Sequence, residues 1–298
     1  MAEGTLLRKL EDFAEIIRRN EPLAPYTQLR IGGPAEMLVQ PRSAEELKAV
    51  VQQCLKNRIS IRVIGSGCAI LVRDEGAAGA VIRLNEPAFT RIVVEGQRVK
   101  AGTGAALSAV ISAAAKTGLA GLEPLVGIPG TLGGALRSNA GDRSGEIGPL
   151  VRAVEVLDDR GEIQVRERDE LRFAYRWSNL DEPVLLSAEL ELEPDRQDAI
   201  VKRLRKTWIQ RKASQPYSFQ ACTRLFKNPR GLNAGTLIAQ AGLVGTRVGG
   251  VEISDRDANF VVAGAGASAR DVLRLVELIR TRVRDQAGIE LELEISVW

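Results

Sequence analysis

The chain has 298 residues, which fits about two domains rather than one. Hydrophobic residues make up 45% and charged residues 27%, a balance that excludes an intrinsically disordered protein, and no apolar run approaches the ~20 residues that span a bilayer. With 41 basic and 38 acidic residues the net charge is only +3, so no strong field points to a nucleic-acid partner. We therefore expect a cytoplasmic protein without a membrane span.

The patterns of the first hundred residues predict alternating helices and strands. Apolar residues between Leu6 and Ile17 recur at helical spacing and predict an amphipathic first helix. A second helix is predicted to begin at Ser43, with Glu46 completing a capping box. Strands are predicted at Met37–Gln40, Ile61–Ile64, Ala80–Leu84, Arg91–Val94 and Val99–Ala101.

The rest of the chain changes character near Pro194, which marks the predicted domain boundary. Before it, period-two patterning dominates, and after it comes a basic helix lined by Ile200, Leu204 and Trp208. Helices are predicted at Ala105–Thr117 and Ser268–Ala287, and strands at Ala153–Leu157, Ile163–Arg166, Val184–Glu193, Asn259–Ala263 and Ile289–Val297.

Two residue counts limit the chemistry. The chain has no histidine, the commonest acid–base residue and metal ligand, so the reaction must use carboxylates, Arg, Lys, Tyr or Cys, or a cofactor. Its cysteines, Cys54, Cys68 and Cys222, are widely spaced and odd in number. That spacing argues against a disulfide framework and against a metal site.

Two glycine-rich turns suggest a ligand. One is IGSG at 64–67, and the other is VGIPGTLGGALRSNAG at 126–141, where five of sixteen residues are glycine. Backbone N–H groups at such turns form anion sites that suit a pyrophosphate, whereas a purely structural reading makes them tight corners. Neither the Rossmann fingerprint nor the P-loop spacing is met. Two such turns together favour a large phosphate-bearing ligand.

Ten short motifs give a more specific signal than either glycine-rich turn alone. They are RIGGPA (30–35), VIGSG (63–67), GLAGLEPLVGIPGTLGGALRSNAG (118–141), GEIG (145–148), FAYR (173–176), SQP (214–216), LFKNP (225–229), AGTLI with AGLVGTRVGG (234–250), ANFVV (258–262) and GIELELEI (288–295). In this order and spacing they resemble the UDP-N-acetylenolpyruvoylglucosamine reductase family, MurB. The short run from FAYR to SQP is similar to the family's second type.

The resemblance implies an α+β fold in which a two-lobed FAD-binding domain of the vanillyl-alcohol-oxidase (PCMH) type precedes a smaller α+β substrate domain. The corresponding limits are an N-terminal helix at 1–20, the FAD-binding domain at 21–195 with lobes at about 21–86 and 87–195, and the substrate domain at 196–298. It also implies a UDP-sugar as the partner molecule, and we expect a monomer or a weak dimer.

The implied reaction is hydride transfer from NADPH to FAD and then to the enolpyruvyl group of the UDP-sugar, which gives UDP-N-acetylmuramate for peptidoglycan synthesis. The residues that the resemblance assigns to FAD are Gly65, Ser66, Gly67, Cys68, Ala69, Gly127, Ile128, Pro129, Gly130, Thr131, Gly133, Gly134, Asn139, Ala140, Gly141 and Ile147. Those that it assigns to the substrate are Tyr175, Lys227 and Asn228.

Arg176 of FAYR and Glu294 of LELEI match the family's residues that stabilise the enolic intermediate. From the residues alone, Arg176 could equally form a surface ion pair. Glu294 would share one face of an alternating strand with Glu290 and Glu292. Only the motif distinguishes Glu294 from its two neighbours.

The chain departs from the family at the proton donor, a serine or cysteine two residues before the Phe of FKNP. Arg224 stands there, and a guanidinium gives up no proton near neutral pH. Cys222 would share a face with Arg224 in an extended segment and is the substitute donor that we consider, although it could equally be a buried small apolar residue.

Other departures are Cys68-Ala69 in place of Ser-Asn, Asp142-Arg143 after NAG, and Asp257 where a His is usual. They leave two alternatives to a working reductase. One is a non-catalytic relative that binds flavin or UDP-sugar in regulation or assembly. The other is an anion- or nucleic-acid-binding module built around the basic helix at Lys202–Lys212.

Overall fold

The computed structural model of the chain describes residues 10–216 and 221–298. The α-helices span Ala44–Lys56 (α1), Pro87–Thr90 (α2), Leu107–Lys116 (α3), Leu132–Arg137 (α4), Gln197–Ser214 (α5), Ala234–Gln240 (α6) and Ala269–Ala287 (α7). Short 3-10 helices lie at Glu11–Ile16, Ala24–Tyr26, Glu123–Leu125 and Gly148–Leu150. The chain combines helices with strands, and its five-stranded sheet is antiparallel, which agrees with the predicted α+β class.

The strands are short. They span Ile17–Pro22 (β1), Pro34–Val39 (β2), Ile61–Val63 (β3), Ile70–Leu71 (β4), Ala77–Ile82 (β5), Ile92–Glu95 (β6), Arg98–Gly102 (β7), Leu119–Ala120 (β8), Gly141–Asp142 (β9), Gly145–Glu146 (β10), Val151–Leu157 (β11), Ile163–Glu167 (β12), Phe173–Ala174 (β13), Trp177–Ser178 (β14), Val184–Glu191 (β15), Glu193–Pro194 (β16), Ala221–Arg224 (β17), Arg247–Val248 (β18), Val251–Ile253 (β19), Phe260–Ala263 (β20) and Ser296–Val297 (β21).

The described residues form two compact units that alternate along the chain. The first unit comprises the described part of Met1–Glu21 together with Ala35–Gly65 and Ala78–Ile209. The second comprises Pro22–Pro34, Ser66–Ala77 and the described part of Gln210–Trp298. The domain limits expected from the sequence stay predictions.

The larger sheet of the first unit has the strand order β12-β11-β15-β7-β6 and is antiparallel throughout. Its register places Val154 opposite Ala188, and Ala188 opposite Ala101. All three side chains are buried and share one hydrophobic core with α3, through residues such as Val110 and Ile111. This row therefore lies on the buried face of the sheet, in the same core as α3.

The smaller sheet of the first unit has the order β1-β2-β5-β3, in which β3 and β5 run parallel. Helix α1 connects β2 to β3 and buries Leu47, Val50 and Val51 against this sheet's core. The side chain of Ser43 accepts the Glu46 N–H and caps α1, as predicted. The Glu46 carboxylate accepts the N–H of Arg42 rather than that of Ser43, so only half of the predicted capping box forms.

The second unit is built on the sheet β17-β20-β19-β18, with α6 and α7 in the same hydrophobic core. Ser268 and Asp271 form a reciprocal capping box at the start of α7, and Gly288 ends the helix in the left-handed conformation. The Asp74 carboxylate accepts the first N–H groups of α7, from Ala269 and Arg270. Strand β21 pairs parallel with β4.

Two predicted elements differ from the structure at the ends of the chain. The predicted first helix includes residues 1–9, which lie outside the described residues. After Glu11–Ile16 the chain becomes strand β1 because it joins β2, with Gln40 N–H donating to Ile16 O. None of the helices in the described part of the chain has the length and apolar character needed to cross a membrane.

The predicted final strand at Ile289–Val297 is wrong as one continuous element. Leu293 forms an isolated antiparallel bridge with Phe226, and only Ser296–Val297 is a strand. The segment divides because it changes partner, from the LFKNP segment to the parallel strand β4. Period-two patterning cannot show such a change of partner.

Candidate functional site

The long glycine-rich segment of the first unit contains helix α4, which the sequence analysis did not predict. The two adjacent glycines at positions 133 and 134 hide it because glycine disfavours helix. The Thr131 side chain caps α4 by accepting the Gly134 N–H at 3.4 Å. The helix is fixed by Gly133 N–H, which donates to Thr103 O, and by Leu132 N–H, which donates to Ala105 O, each at 2.9 Å.

The two glycine-rich turns meet within the first unit. A Cβ atom placed on Gly65 would lie 2.5 Å from Thr131 Oγ1, and one on Gly133 would lie 3.0 Å from Thr103 Cβ. Both glycines are therefore needed for close contacts inside the protein, as the structural reading proposed. The contact between Gly65 and Thr131 also places the end of the IGSG turn beside the long glycine-rich segment.

Other glycines of this segment face open space. Gly130 has φ of 134°, and no heavy atom of the described chain lies within 4 Å of the Cβ that it lacks. Gly134 is exposed, and its nearest such neighbour is Thr131 Oγ1 at 3.8 Å. Gly127, with φ of 81°, is also exposed. This bare, accessible main chain is what a dinucleotide needs for close approach, so the residues present fit FAD.

Asn139, which the resemblance assigns to FAD, is buried and uses its side-chain amide within the first unit. Its Oδ1 accepts the Gly148 N–H at 2.9 Å, and its Nδ2 donates to Glu146 Oε2 at 2.7 Å. Asn139 also has φ of 44°, a left-handed conformation that asparagine tolerates. Its side chain thus joins the NAG turn to the GEIG turn. The adjacent Ala140 and the nearby Ile147 are likewise buried.

The FAYR motif forms a tight hairpin in the same unit. Strands β13 and β14 pair across a two-residue turn, Tyr175–Arg176, in which Arg176 adopts φ of 55°. Arg176 Nη1 donates to Gly141 O at 2.8 Å, and its guanidinium lies 5.5 Å from the centre of the Tyr175 ring. The structure therefore brings the predicted substrate-polarising arginine to the end of the predicted flavin segment. The catalytic assignment of Arg176 stays a prediction.

The remainder of the GSG turn belongs to the second unit. Gly67 has φ of 62°, and a Cβ there would collide with Tyr26 O. Ser66 and Ala69 are exposed, whereas Cys68 is partly buried. Burial raises the pKa of the Cys68 thiol to about 11, and the nearby Cys222 adds to the shift. The Cys68 thiol is therefore neutral near pH 7.

Cys222 lies on β17, so the segment is extended, which is the condition for Cys222 and Arg224 to share a face. Alternation along β17 places Cys222 and Arg224 on one face and Thr223 on the other, where its hydroxyl donates to Cys68 O at 2.5 Å. Cys222 is fully buried, and this burial raises the pKa of its thiol to about 11. The thiol keeps its proton near pH 7. Its role as substitute donor stays a prediction.

Arg224 and Asp257, two of the departures from the family pattern, form an ion pair that sequence reasoning missed. Arg224 Nη2 lies 3.4 Å from Asp257 Oδ2, and the guanidinium lies 5.4 Å from the centre of the Phe260 ring. Phe260 is the cross-strand partner of Arg224. The sequence did contain a signal for this pair. Arg224 stands where the family has a serine or cysteine, Asp257 stands where it has a histidine, and the two replacements carry opposite charges.

Glu294 lies beside the LFKNP segment within the second unit. Its N–H donates to Leu225 O at 2.8 Å, and it is half-buried, whereas Glu290 and Glu292 are exposed. The structure thus distinguishes Glu294 from two carboxylates that the pattern could not separate. Its catalytic role stays a prediction.

The two predicted substrate residues of FKNP already have partners within the unit. Lys227 Nζ lies 2.5 Å from Glu292 Oε1. Asn228 Oδ1 accepts the Ala234 N–H at 3.0 Å, at the start of α6. Both contacts are compatible with a role in positioning the segment. Substrate binding by Tyr175, Lys227 and Asn228 stays a prediction.

Comparisons with known proteins agree with this geometry. Residues 35–166 match the FAD binding domain family, and residues 215–298 match the family "UDP-N-acetylenolpyruvoylglucosamine reductase, C-terminal domain". The chain is 40% identical to UDP-N-acetylenolpyruvoylglucosamine reductases of Moorella thermoacetica and Carboxydothermus hydrogenoformans, over 94% of this chain and 92% and 93% of theirs. The crystal structure of the Thermus caldophilus enzyme (MurB) superposes with a TM-score of 0.82 at 39% identity and covers 95% of this chain and 98% of that one. The chain therefore belongs to the UDP-N-acetylenolpyruvoylglucosamine reductase family.

Proposed function

We propose that this protein uses FAD and NADPH to reduce UDP-N-acetylenolpyruvoylglucosamine to UDP-N-acetylmuramate, a precursor of peptidoglycan. The observation that carries the proposal is the open main chain at Gly130, next to the Thr131 cap and in one segment with Gly141, to which Arg176 donates. The chemistry that FAD supplies when bound is hydride transfer from NADPH to the enolpyruvyl double bond. The cytoplasmic location and the oligomeric state stay predictions.

The main chain of the first unit would hold the dinucleotide. The segment offers accessible main chain at Gly127 and Gly130, just before the capped start of α4, whose own first N–H groups are already hydrogen-bonded within the unit. Backbone N–H groups suit phosphate because they provide partial positive charge without a bulky side chain. The close contact between Gly65 and Thr131 keeps the first turn beside this segment.

Arg176 and Glu294 would act on the reacting part of the substrate. Negative charge develops next to the substrate carboxylate during reduction, and a fixed guanidinium stabilises such charge. The hydrogen bond from Arg176 to Gly141 O limits the movement of this guanidinium. Glu294 is fixed through its backbone to Leu225, and we assign it the same stabilising role that the family resemblance implies.

The proton required at the substrate carbon would come from the Cys222 thiol or from water. Burial raises the pKa of the Cys222 thiol to about 11, so the thiol is protonated at neutral pH and is a weaker acid than an exposed thiol. The non-catalytic alternative is not favoured, because relatives at 40% identity over nearly the full chain are named as reductases.

An absorbance scan of the purified protein tests the proposal directly. We expect the bands of bound oxidised flavin, bleaching on addition of NADPH without oxygen, and recovery of the oxidised spectrum when the enolpyruvyl UDP-sugar is added. A protein that binds flavin and is bleached, but is not reoxidised by the substrate, would contradict the reductase function. UDP-N-acetylglucosamine, which lacks the double bond, is the control and should leave the flavin reduced.

A further inference from the structure

The guanidinium of Arg224 is held in place, but most of its N–H donors have no acceptor among the described residues. Its side chain is 18% exposed, and among the described residues only Asp257 accepts a hydrogen bond from it. The contact, at 3.4 Å, is longer than the 2.7–2.9 Å usual for a charge-assisted hydrogen bond. A guanidinium has five N–H donors. Most of its donor capacity therefore remains for another acceptor.

Asp257 contacts Arg224 with one carboxylate oxygen. Its Oδ1 accepts the Asn259 N–H at 2.9 Å, and its Oδ2 accepts from the guanidinium. The paired, fork-like geometry that an arginine makes with a carboxylate is therefore absent from this contact. By comparison, Lys227 and Glu292 in the same unit approach to 2.5 Å. Asp257 orients Arg224 without saturating it.

Phe260 provides the second support. It is fully buried and directly opposite Arg224 in the register of β17 and β20, and the guanidinium lies 5.4 Å from the ring centre. A cation over an aromatic ring is stabilised and restricted in orientation. The ring and the single carboxylate oxygen therefore hold the guanidinium, while 18% of the side-chain surface stays exposed.

We propose that Arg224 binds an anionic group of the sugar-nucleotide substrate, either the enolpyruvyl carboxylate or the diphosphate. This proposal rests on the proposed function, which supplies the substrate. Arg224 thus has a binding role at the position where the family carries its proton donor, and Asp257 is the positioning residue that orients it. The proton must then come from elsewhere, in agreement with the proposal for Cys222 or water.

Titration calorimetry on the oxidised, flavin-loaded protein tests this inference in the absence of NADPH, so that no turnover occurs. For Arg224→Gln we expect the Kd of the enolpyruvyl UDP-sugar to rise about 10- to 100-fold, the range for loss of a hydrogen bond between charged groups. Arg224→Lys keeps the positive charge but loses the fork, so we expect an intermediate rise. If Arg224→Gln does not fold, the Kd of the Arg224→Lys variant alone tests the inference.

UDP-N-acetylglucosamine distinguishes the two anionic groups because it has the diphosphate but no enolpyruvyl carboxylate. Weaker binding of the enolpyruvyl compound alone supports contact with the carboxylate, and equal weakening of both supports contact with the diphosphate. The matched control is Arg247→Gln, which removes an exposed arginine paired with Glu252 in the same unit. Its Kd values should match those of the wild type.

Two results would overturn the inference. One is a change of less than about twofold in both Kd values with an unchanged melting temperature, which would make Arg224 a structural residue only. The other is loss of flavin from both variants, which would place the guanidinium on the cofactor. Failure of the proposed function is a separate result, since a wild-type protein that binds the enolpyruvyl compound without reducing it would contradict the reaction and leave the Arg224 measurement intact.

Discussion

At the scale of single residues, glycines with the same sequence signal have opposite surroundings. Gly65 and Gly133 are packed against Thr131 and Thr103, whereas Gly130 faces open space. Only a substitution at a glycine that faces open space can report contact with a ligand. A side chain added at Gly65 or Gly133 would collide with the protein itself. A substitution at Gly130 therefore tests cofactor binding, and one at Gly65 would test packing.

Gly130→Ala should weaken flavin binding about tenfold or more, because its methyl group would occupy the space open to the dinucleotide and because φ of 134° suits only glycine. The measurement is flavin fluorescence during titration of the apoprotein. The matched control is Gly96→Ala, at a left-handed turn of the same unit with φ of 59° and equally open surroundings. Similar losses of affinity in both variants would mean that backbone strain, rather than contact with flavin, causes the effect.

Glu294→Gln should slow reoxidation of the reduced flavin by the enolpyruvyl UDP-sugar while leaving flavin reduction by NADPH nearly unchanged. The reason is that Glu294 is assigned to the substrate half-reaction alone. Stopped-flow absorbance measures both steps. Glu290→Gln removes an exposed carboxylate four residues earlier and is the control. If both half-reactions slow equally, the role assigned to Glu294 is wrong.

At the scale of elements, the sequence predicted those whose signals are local. Helix α7 was expected at Ser268–Ala287 and begins with its capping box, and the hairpin of β6 and β7 lies within one residue of its predicted limits. Elements set by distant partners were not predictable. The LELEI segment changes partner along its length, and α4 exists because backbone groups of Thr103 and Ala105 accept its first N–H groups.

The site shows the same division between local and distant signals. Motifs identified Arg176 and Glu294, but the ion pair between Arg224 and Asp257 joins positions 33 residues apart in sequence. Neither residue has a local pattern that indicates its partner, because they meet only when β17 pairs with β20 and places Arg224 opposite Phe260, three residues after Asp257. The clue in the sequence was that the two departures from the family pattern, at positions 224 and 257, carry opposite charges.

The capping box of α7 gives a prediction for pH dependence. The hydroxyl of Ser268, followed by the N–H groups of Gly250 and Ser268, lowers the pKa of Asp271 below its usual value. A carboxyl with a lowered folded-state pKa stabilises the fold fully above the unfolded-state pKa of about 4, and this stabilisation is lost as the pH falls through the folded-state pKa. Asp271→Asn should therefore destabilise the protein at pH 7 and lessen the decrease in stability below pH 4.

Urea unfolding at several values between about pH 3 and pH 7 measures this difference. Glu277→Gln, on an exposed turn of the same helix, is the control and should follow the wild type. Parallel curves for wild type and Asp271→Asn would mean that Asp271 contributes no pH-dependent stability.

At the scale of the whole molecule, each unit is assembled from separated stretches of chain. The second unit needs Pro22–Pro34 and Ser66–Ala77 as well as the C-terminal residues. A fragment of residues 210–298 would lack β4, the partner of β21, and Asp74, which binds the first N–H groups of α7. We expect this fragment to show little cooperative unfolding by circular dichroism. A sharp thermal transition of the fragment alone would contradict that view.

The pairing of β21 with β4 also determines when the second unit can be completed during synthesis. Ser296 N–H donates to Ala69 O and Trp298 N–H donates to Leu71 O, across more than two hundred residues. The ribosome makes residues 69–71 early, and they have no pairing partner until residues 296–298 are made. All residues of the first unit are synthesised before that point. Folding of the second unit therefore follows synthesis of residues 296–298, more than two hundred residues after β4 has been made.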